Sequence, residues 1–310
     1  MWDRGMGNEI LFLKAMQRLI ATALLIFISN SYASKGMTRS ANDANQPPSI
    51  GNYSVQGSQQ PGPLFAFGQF TINQNQSQLF LNPSYLNGFQ QYEWTISPFY
   101  VYGITDNLAL FISTPIAAPY YEKPSYSYGP TDTEIQFEYA FYNGSNRRYT
   151  DQATLVVAGT VPTGSAHKNP STGYGAASVF LGATYARTYV DWYGFISPGF
   201  TWIPPNNNSD LNIIYYYDAG IGRNLYSVPN RYYWFALVEV NGVYSGFDQI
   251  RGFAKPNSGN NIIFVSPSLI YATEQLYIQF GAAIPASQQW FSITNKINYV
   301  ASLSVGWTFN

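Results

Sequence analysis

The side chains with chemistry to offer are few. The single histidine, His167, stands two residues from Ser165 in the stretch Gly-Ser-Ala-His-Lys-Asn-Pro. A hydroxyl nucleophile needs its base within ~3 Å and a third group to orient that base. This run of small and turn-forming residues supplies no orienter, so His167 reads as a loop histidine and no catalysis is expected. The chain has no cysteine, hence no thiolate metal site, and one histidine cannot build a zinc centre. No glycine-rich dinucleotide fingerprint or phosphate loop occurs, so no cofactor is expected. The acids say more. Glu93, Asp132, Glu134, Glu138, Asp218 and Glu239 all fall on the polar phase of alternating segments. Carboxylates lining a pore would favour cations or amines over anions. Pairing with Lys296 and inward tyrosine hydroxyls, inside a filled body, is the other reading, and both stay open.

The elements that must carry these acids alternate with period two. Ile297, Tyr299, Ala301, Leu303, Val305, Trp307 and Phe309 hold every odd position of the last segment, with mostly polar residues between them. Successive side chains on a strand point to opposite faces, so this segment has one apolar and one polar face. Residues 131–141 and 91–102 read the same way. Further runs lie near 64–72, 108–117, 150–161, 175–188, 193–203, 211–225, 232–245, 261–272 and 276–285, which makes twelve strands. The connections 73–90, 118–130, 162–174, 204–210, 246–260 and 286–294 are mostly long and polar. Those at 104–107, 142–149, 189–192, 226–231 and 273–275 are mostly short. An even number of long strands, with long loops on one rim and tight turns on the other, predicts a transmembrane antiparallel up-and-down β-barrel of the bacterial outer membrane.

Composition agrees. Only 10% of the 310 residues are charged, 18% are aromatic and 46% hydrophobic, with a net charge of −1. Ordinary domains carry roughly 25% charged residues. A lipid-facing wall must shed charge, because Lys or Arg at the bilayer midplane costs ~2–4 kcal/mol. Tyr and Trp suit the two interfaces. The near-zero net charge gives no electrostatic basis for a nucleic-acid partner. A secreted β-sandwich would also alternate, but its strands would be shorter and its outer face richer in Lys and Glu.

The N-terminus reads as a targeting segment. The apolar run Leu19 to Ile28 follows Lys14 and Arg18 and precedes Ser31-Tyr32-Ala33. Residues 1–33 are therefore expected to be a signal peptide cut between Ala33 and Ser34. So short a run cannot span ~30 Å of hydrocarbon at ~1.5 Å per residue. Residues 1–15 are unusual for a signal and Met16 would be the more usual start, so Met1 and Met16 both stay open as the start. Residues 34–63 are Ser, Asn, Gln, Gly and Pro with few large apolar side chains, and read as a flexible arm or a lumen plug. Residues 64–310 are then the barrel.

Asp132-Thr-Glu-Ile-Gln-Phe-Glu-Tyr, Ala158-Gly-Thr-Val-Pro-Thr-Gly164 and Gly173-Tyr-Gly together resemble the outer-membrane proteins associated with the meta-pathway of phenol degradation. The resemblance covers most of residues 85–310 and implies a transporter-like barrel for small hydrophobic or aromatic compounds. Gly306-Trp-Thr-Phe309 is similar to the C-terminal signal read by the barrel-assembly machinery, with Trp307 and Phe309 as its aromatic residues. It departs from that pattern by one extra residue, Asn310. Inward Phe99, Phe111, Phe180 and Phe264 suit an aromatic solute or simply fill space. Arg187 and Arg223 fall on the lipid phase near the turn ends, where they can snorkel to head groups. Ser97-Pro98, Ser197-Pro198 and Ser266-Pro267 predict bulges. The reading is a channel for small solutes in contact with membrane lipid. A closed barrel acting through its surface loops as an adhesin or structural protein is the alternative.

Overall fold

The computed structural model describes residues 46–204, 213–246, 249–250, 253–254, 259–290 and 296–309. The expected signal peptide (residues 1–33), its expected cleavage between Ala33 and Ser34, Met16 and residues 34–45 lie outside them. The strands, in chain order, are β1 (Ser77–Gly88), β2 (Gln91–Thr105), β3 (Leu108–Ser113), β4 (Ile116–Glu122), β5 (Ser125–Pro130), β6 (Thr133–Ser145), β7 (Tyr149–Val161) and β8 (Ser178–Tyr189). They continue with β9 (Trp192–Trp202), β10 (Ile214–Val228), β11 (Tyr232–Ser245), β12 (Gln249–Ile250), β13 (Phe253–Ala254), β14 (Asn260–Thr273), β15 (Leu276–Trp290) and β16 (Ile297–Phe309).

Twelve of these form a closed antiparallel barrel. Closure comes from β1, which pairs with β2 on one side (Ser77 opposite Tyr102) and with β16 on the other (Ser77 opposite Phe309). A closed ring gives every ladder donor and acceptor a protein partner, the condition for a sheet in hydrocarbon. The β4–β5 hairpin stands on the upper half of β2, where β3 ends, and the chain crosses from β3 to β4 at Thr114-Pro115. The small β12–β13 hairpin lies in a long loop. No helix among the described residues is long and apolar enough to cross a membrane.

Period-two alternation sorts the side chains as expected. Trp94, Ile96, Leu181, Ile221, Val238, Leu303 and Trp307 are exposed on the outer face, while Gln136, Glu138, Thr154, Thr184, Glu239 and Ser304 are buried on the inner one. The half of the interior nearest the short turns is an apolar core, including Val101, Tyr193, Phe195, Tyr233, Phe235, Leu237, Ile270 and Tyr277.

The structure corrects the expected strand layout in several places, beginning with residues 118–130, expected as a loop and found as the β4–β5 hairpin. Residues 64–72 form no strand, and the first strand is instead β1, inside the stretch assigned to a long loop. Its apparent alternation is broken by Pro83, and its partners are a hairpin neighbour and the distant C-terminal strand. The β1–β2 connection is accordingly a two-residue turn, Phe89-Gln90, with Gln90 at φ 57°. Finally, Pro98, Pro198 and Pro267 make no bulges, because the β1–β2, β9–β10 and β11–β14 registers run unbroken through them. The missing N–H is accommodated by a local gap on the other side, as between β8 and β9 around Pro198, with the register kept.

Candidate functional site in the barrel interior

The interior is occupied by the chain's own residues 51–72, and residues 46–50 and 73–76 lead in and out of it at the turn-side rim. The 3-10 turn Gly51–Tyr53 sits against the β8–β9 turn, where Asn52 N donates to Val190 O at 2.7 Å and the Asn52 amide donates to Tyr189 O at 3.0 Å. The Tyr53 hydroxyl reaches Thr188 O. A second 3-10 turn, Gly57–Gln59, lies at the opposite wall, where Gln59 donates to Thr308 and Tyr233 donates to Gln59 O at 2.7 Å. The segment then climbs the interior, and Gln279 Nε2 donates to Gly62 O at 3.3 Å. It turns over and descends to Gln74, whose N–H reaches Asp106 in the β2–β3 turn at 2.9 Å, and there β1 begins.

Two buried carboxylates hold the top of this excursion. Glu239, on the inner face of β11 and 0% exposed, accepts from Leu64 N at 2.8 Å, Phe65 N at 3.2 Å and Ala66 N at 3.0 Å. Glu138, on the inner face of β6 and 1% exposed, accepts from Gln69 N at 2.5 Å and Phe70 N at 2.9 Å. Gly68 and Gln69 are both left-handed, at φ 84° and 69°. That reversal turns two consecutive N–H groups, of Gln69 and Phe70, toward one carboxylate. These five donors belong to residues that read as a strand by pattern, and they are satisfied by side chains in place of a ladder. A buried backbone donor must be paired somewhere.

The wall is shaped to receive the tip. Gly182 and Gly199 face each other across β8 and β9. A Cβ on Gly182 would stand 2.5 Å from the Phe67 ring and 2.8 Å from Phe180. One on Gly199 would stand 2.8 Å from Phe180 and 2.9 Å from Phe67. The two glycines thus make a dimple in which Phe67 meets Phe180 edge-on at 4.7 Å. On the return leg, Phe70 packs on Phe99 and Phe111 at 5.7 and 5.6 Å, and Phe99 stacks on Phe80 at 4.5 Å. Phe264 packs with Ile262, Ala283 and Phe65. The inward phenylalanines noted from sequence therefore pack largely against the segment.

The remaining acids take different places. Glu93 is on the inner face of β2 near the long-loop rim and accepts from Thr95 Oγ1 at 2.9 Å. Glu134 lies on the inner face of β6 and accepts no hydrogen bond from a described residue. Asp218, on the inner face of β10, accepts from the Asn241 amide at 3.3 Å. Asp132 precedes β6 and is not on the wall. Its carboxylate accepts from Gly164 N at 3.0 Å and Tyr174 N at 2.8 Å, pinning both ends of the loop after β7. The three motifs behind the family resemblance therefore meet at one point. Gly164 and Gly173 are required there, since a Cβ on either would press within 3 Å of the Asp132 carboxylate.

Lys296 is exposed at the rim, beside β16, and the pairing of inner acids with lysine is not seen among the described residues. No described inner-face position of the wall carries Lys or Arg. Lys123, Arg147, Arg148, Lys168 and Arg231 lie in loops and turns, while Arg187 and Arg223 face outward. Arg187 is not free on the outer surface. It forms a bidentate pair with Asp151 at 2.6 and 2.9 Å and covers the Tyr149 ring at 4.2 Å. Arg223 lies 5.3 Å from the Trp192 ring centroid. His167 is exposed in the loop after β7, and no group of three or more His, Asp or Glu among the described residues could hold a metal.

No family model matches the sequence, and comparison with curated proteins finds no relative. Solved structures are similar. An outer-membrane channel from Pseudomonas putida F1 superposes with a TM-score of 0.65 at 14% identity, covering 79% of this chain and 100% of that one. The chain shares the fold of that protein. The NanC porin gives a TM-score of 0.44 at 10% identity, covering 75% of this chain and 99% of that one. A monoaromatic hydrocarbon channel, CymD, gives 0.34 at 10% identity, covering 84% and 97%. Sequence reasoning missed Gln59, Tyr233, Gln279, Gly182 and Gly199. The only available signal was glycine on the inner phase of two long strands, which marks a close approach without naming what approaches.

Proposed function

We propose that the chain is an outer-membrane channel for small solutes, selective for cations, in which residues 51–72 act as a plug. The observation that carries this reading is the one-sided charge of the inner face. Glu93, Glu134, Glu138, Asp218 and Glu239 project inward, and no described inner-face wall residue is basic. Charged rings set the sign of the permeant ion, and low-dielectric walls focus the field of such charges. The fold shared with a solved outer-membrane channel fits this use. The plug is chemically consistent with a closure that can be released. It is joined to the wall by hydrogen bonds and ring contacts, and it leads into β1 through Gln74 at the turn-side rim.

The substrate range implied by the resemblance, small hydrophobic or aromatic compounds, is part of the proposal, with Phe180 and Tyr216 as the aromatic surfaces on the long-loop side. So are export through a signal peptide cut at Ala33–Ser34 and assembly through Trp307 and Phe309. Both of those side chains face outward, at 44% and 49% exposure, where another protein can read them. The test of the channel is the reversal potential of the mature protein in a planar bilayer under a KCl gradient. A cation-selective current that weakens in Glu134→Gln/Asp218→Asn supports it, and an anion-selective current sinks it. A closed barrel working through its loops is favoured by one observation, the apolar core that fills the turn-side half. Folded protein that never conducts, even with the plug contacts removed, would select that reading.

A further inference from the structure

Above the plug tip, toward the long loops, the interior changes character. Phe67 meets Phe180 edge-on at 4.7 Å, and Phe180 meets Tyr216 edge-on at 5.9 Å, so three rings form a continuous aromatic floor. Asp218 stands two residues from Tyr216 on the same inner face of β10, and Glu134 projects inward from the long-loop end of β6. Asp218 shares a hydrogen bond with Asn241, whereas Glu134 has no partner among the described residues. One step deeper on the same face of β6, Gln136 is only 5% exposed and its amide nitrogen lacks a hydrogen-bond partner. A buried amide donor and a partnerless carboxylate on one wall are costly unless something binds them.

Resting on the channel reading, we infer that this floor is a binding site for an organic ammonium ion that also carries an apolar or aromatic group. Uncompensated carboxylates call for positive charge. Ring faces attract ammonium groups through their quadrupole, most strongly when the group sheds its water, which favours an alkylated ammonium over a hydrated sodium ion. The Gln136 amide adds a donor for a hydroxyl or carbonyl oxygen on the same molecule. The plug supplies Phe67, so the site is complete only when the segment is seated.

The test is equilibrium binding of benzyltrimethylammonium to the full mature protein in detergent, by calorimetry, with benzyl alcohol and benzoate as probes of the same ring. The expected result is binding of the ammonium at least about tenfold tighter than either probe. Glu134→Gln/Asp218→Asn should lose about tenfold, Tyr216→Leu should lose affinity, and Tyr216→Phe should retain it. Glu122→Gln, an acid in the β4–β5 hairpin, should leave it unchanged. Heat-modifiable gel mobility verifies that each variant is folded. Equal affinity for all three probes, or binding indifferent to Glu134 and Asp218, overturns the site. Ammonium binding by a protein that passes no current would overturn the channel and leave the site standing, and current without binding would do the reverse.

Discussion

Glu239→Gln tests whether the plug is held by the carboxylates. Glu239 is fully buried and receives the N–H groups of Leu64, Phe65 and Ala66, with the Asn241 amide at 3.4 Å. The amide side chain has nearly the same shape but keeps a single acceptor. Its NH2 group must face one pair of those backbone donors, Leu64 and Phe65 or Phe65 and Ala66. A hydrogen bond to a charged group contributes ~1.5–3 kcal/mol, and a buried donor left without a partner costs ~1–3 kcal/mol. A net loss of about 3 kcal/mol for the seated plug is therefore expected. At 1.4 kcal/mol per tenfold, the ratio of released to seated plug rises on the order of a hundredfold. Glu138→Gln should act in the same direction. The double variant should open less than the product of the two, because both clamps hold one short stretch and releasing either frees much of the other. The assay is single-channel recording in planar bilayers, comparing open probability with that of the unaltered protein. The reasoning fails if Glu239→Gln leaves open probability unchanged while gel mobility shows an intact barrel. It fails equally if the variant closes the channel further.

Gly182→Val places carbon where the Phe67 and Phe180 rings now lie, a misfit costing ~1–3 kcal/mol. It should raise open probability, and Phe67→Ala in the same chain should relieve the clash, seen as recovered thermal stability in detergent. Asp132→Ala removes the acceptor of Gly164 and Tyr174. Proteolysis after that change should cut the loop between β7 and β8 at least several-fold faster with the barrel still heat-modifiable, and equal cutting rates would argue against the pin. Tyr233→Phe takes away the bond to Gln59 O, worth ~0.5–1.5 kcal/mol. It should loosen the lower plug by roughly threefold to tenfold, read as faster hydrogen exchange at residues 57–60 than at 79–81 in β1.

The barrel was legible because its cause is local. Each strand must be apolar on the face that meets lipid, and period two writes that demand along the chain, as in Tyr299 through Phe309. The inward placement of Glu134, Glu138, Asp218 and Glu239 follows from the same parity. Parity cannot say where a strand's partner lies. β1 contains Pro83, Asn82 and Ser84 and looks like loop, and it becomes a strand because β16 arrives from the far end of the chain to close the ring. The stretch from Leu64 to Ile72 looks like a strand because a segment buried in a barrel also needs apolar side chains. Its backbone donors are met instead by Glu138 and Glu239, 68–69 and 173–175 residues away. Nor could sequence distinguish an acid that faces open space from one that clamps a backbone, or separate Asp132, which pins a loop, from the wall acids beside it. Charge, parity and strand length are properties of neighbours in the chain. Which donor meets which carboxylate is decided by contacts that exist only once the ring has closed around the segment.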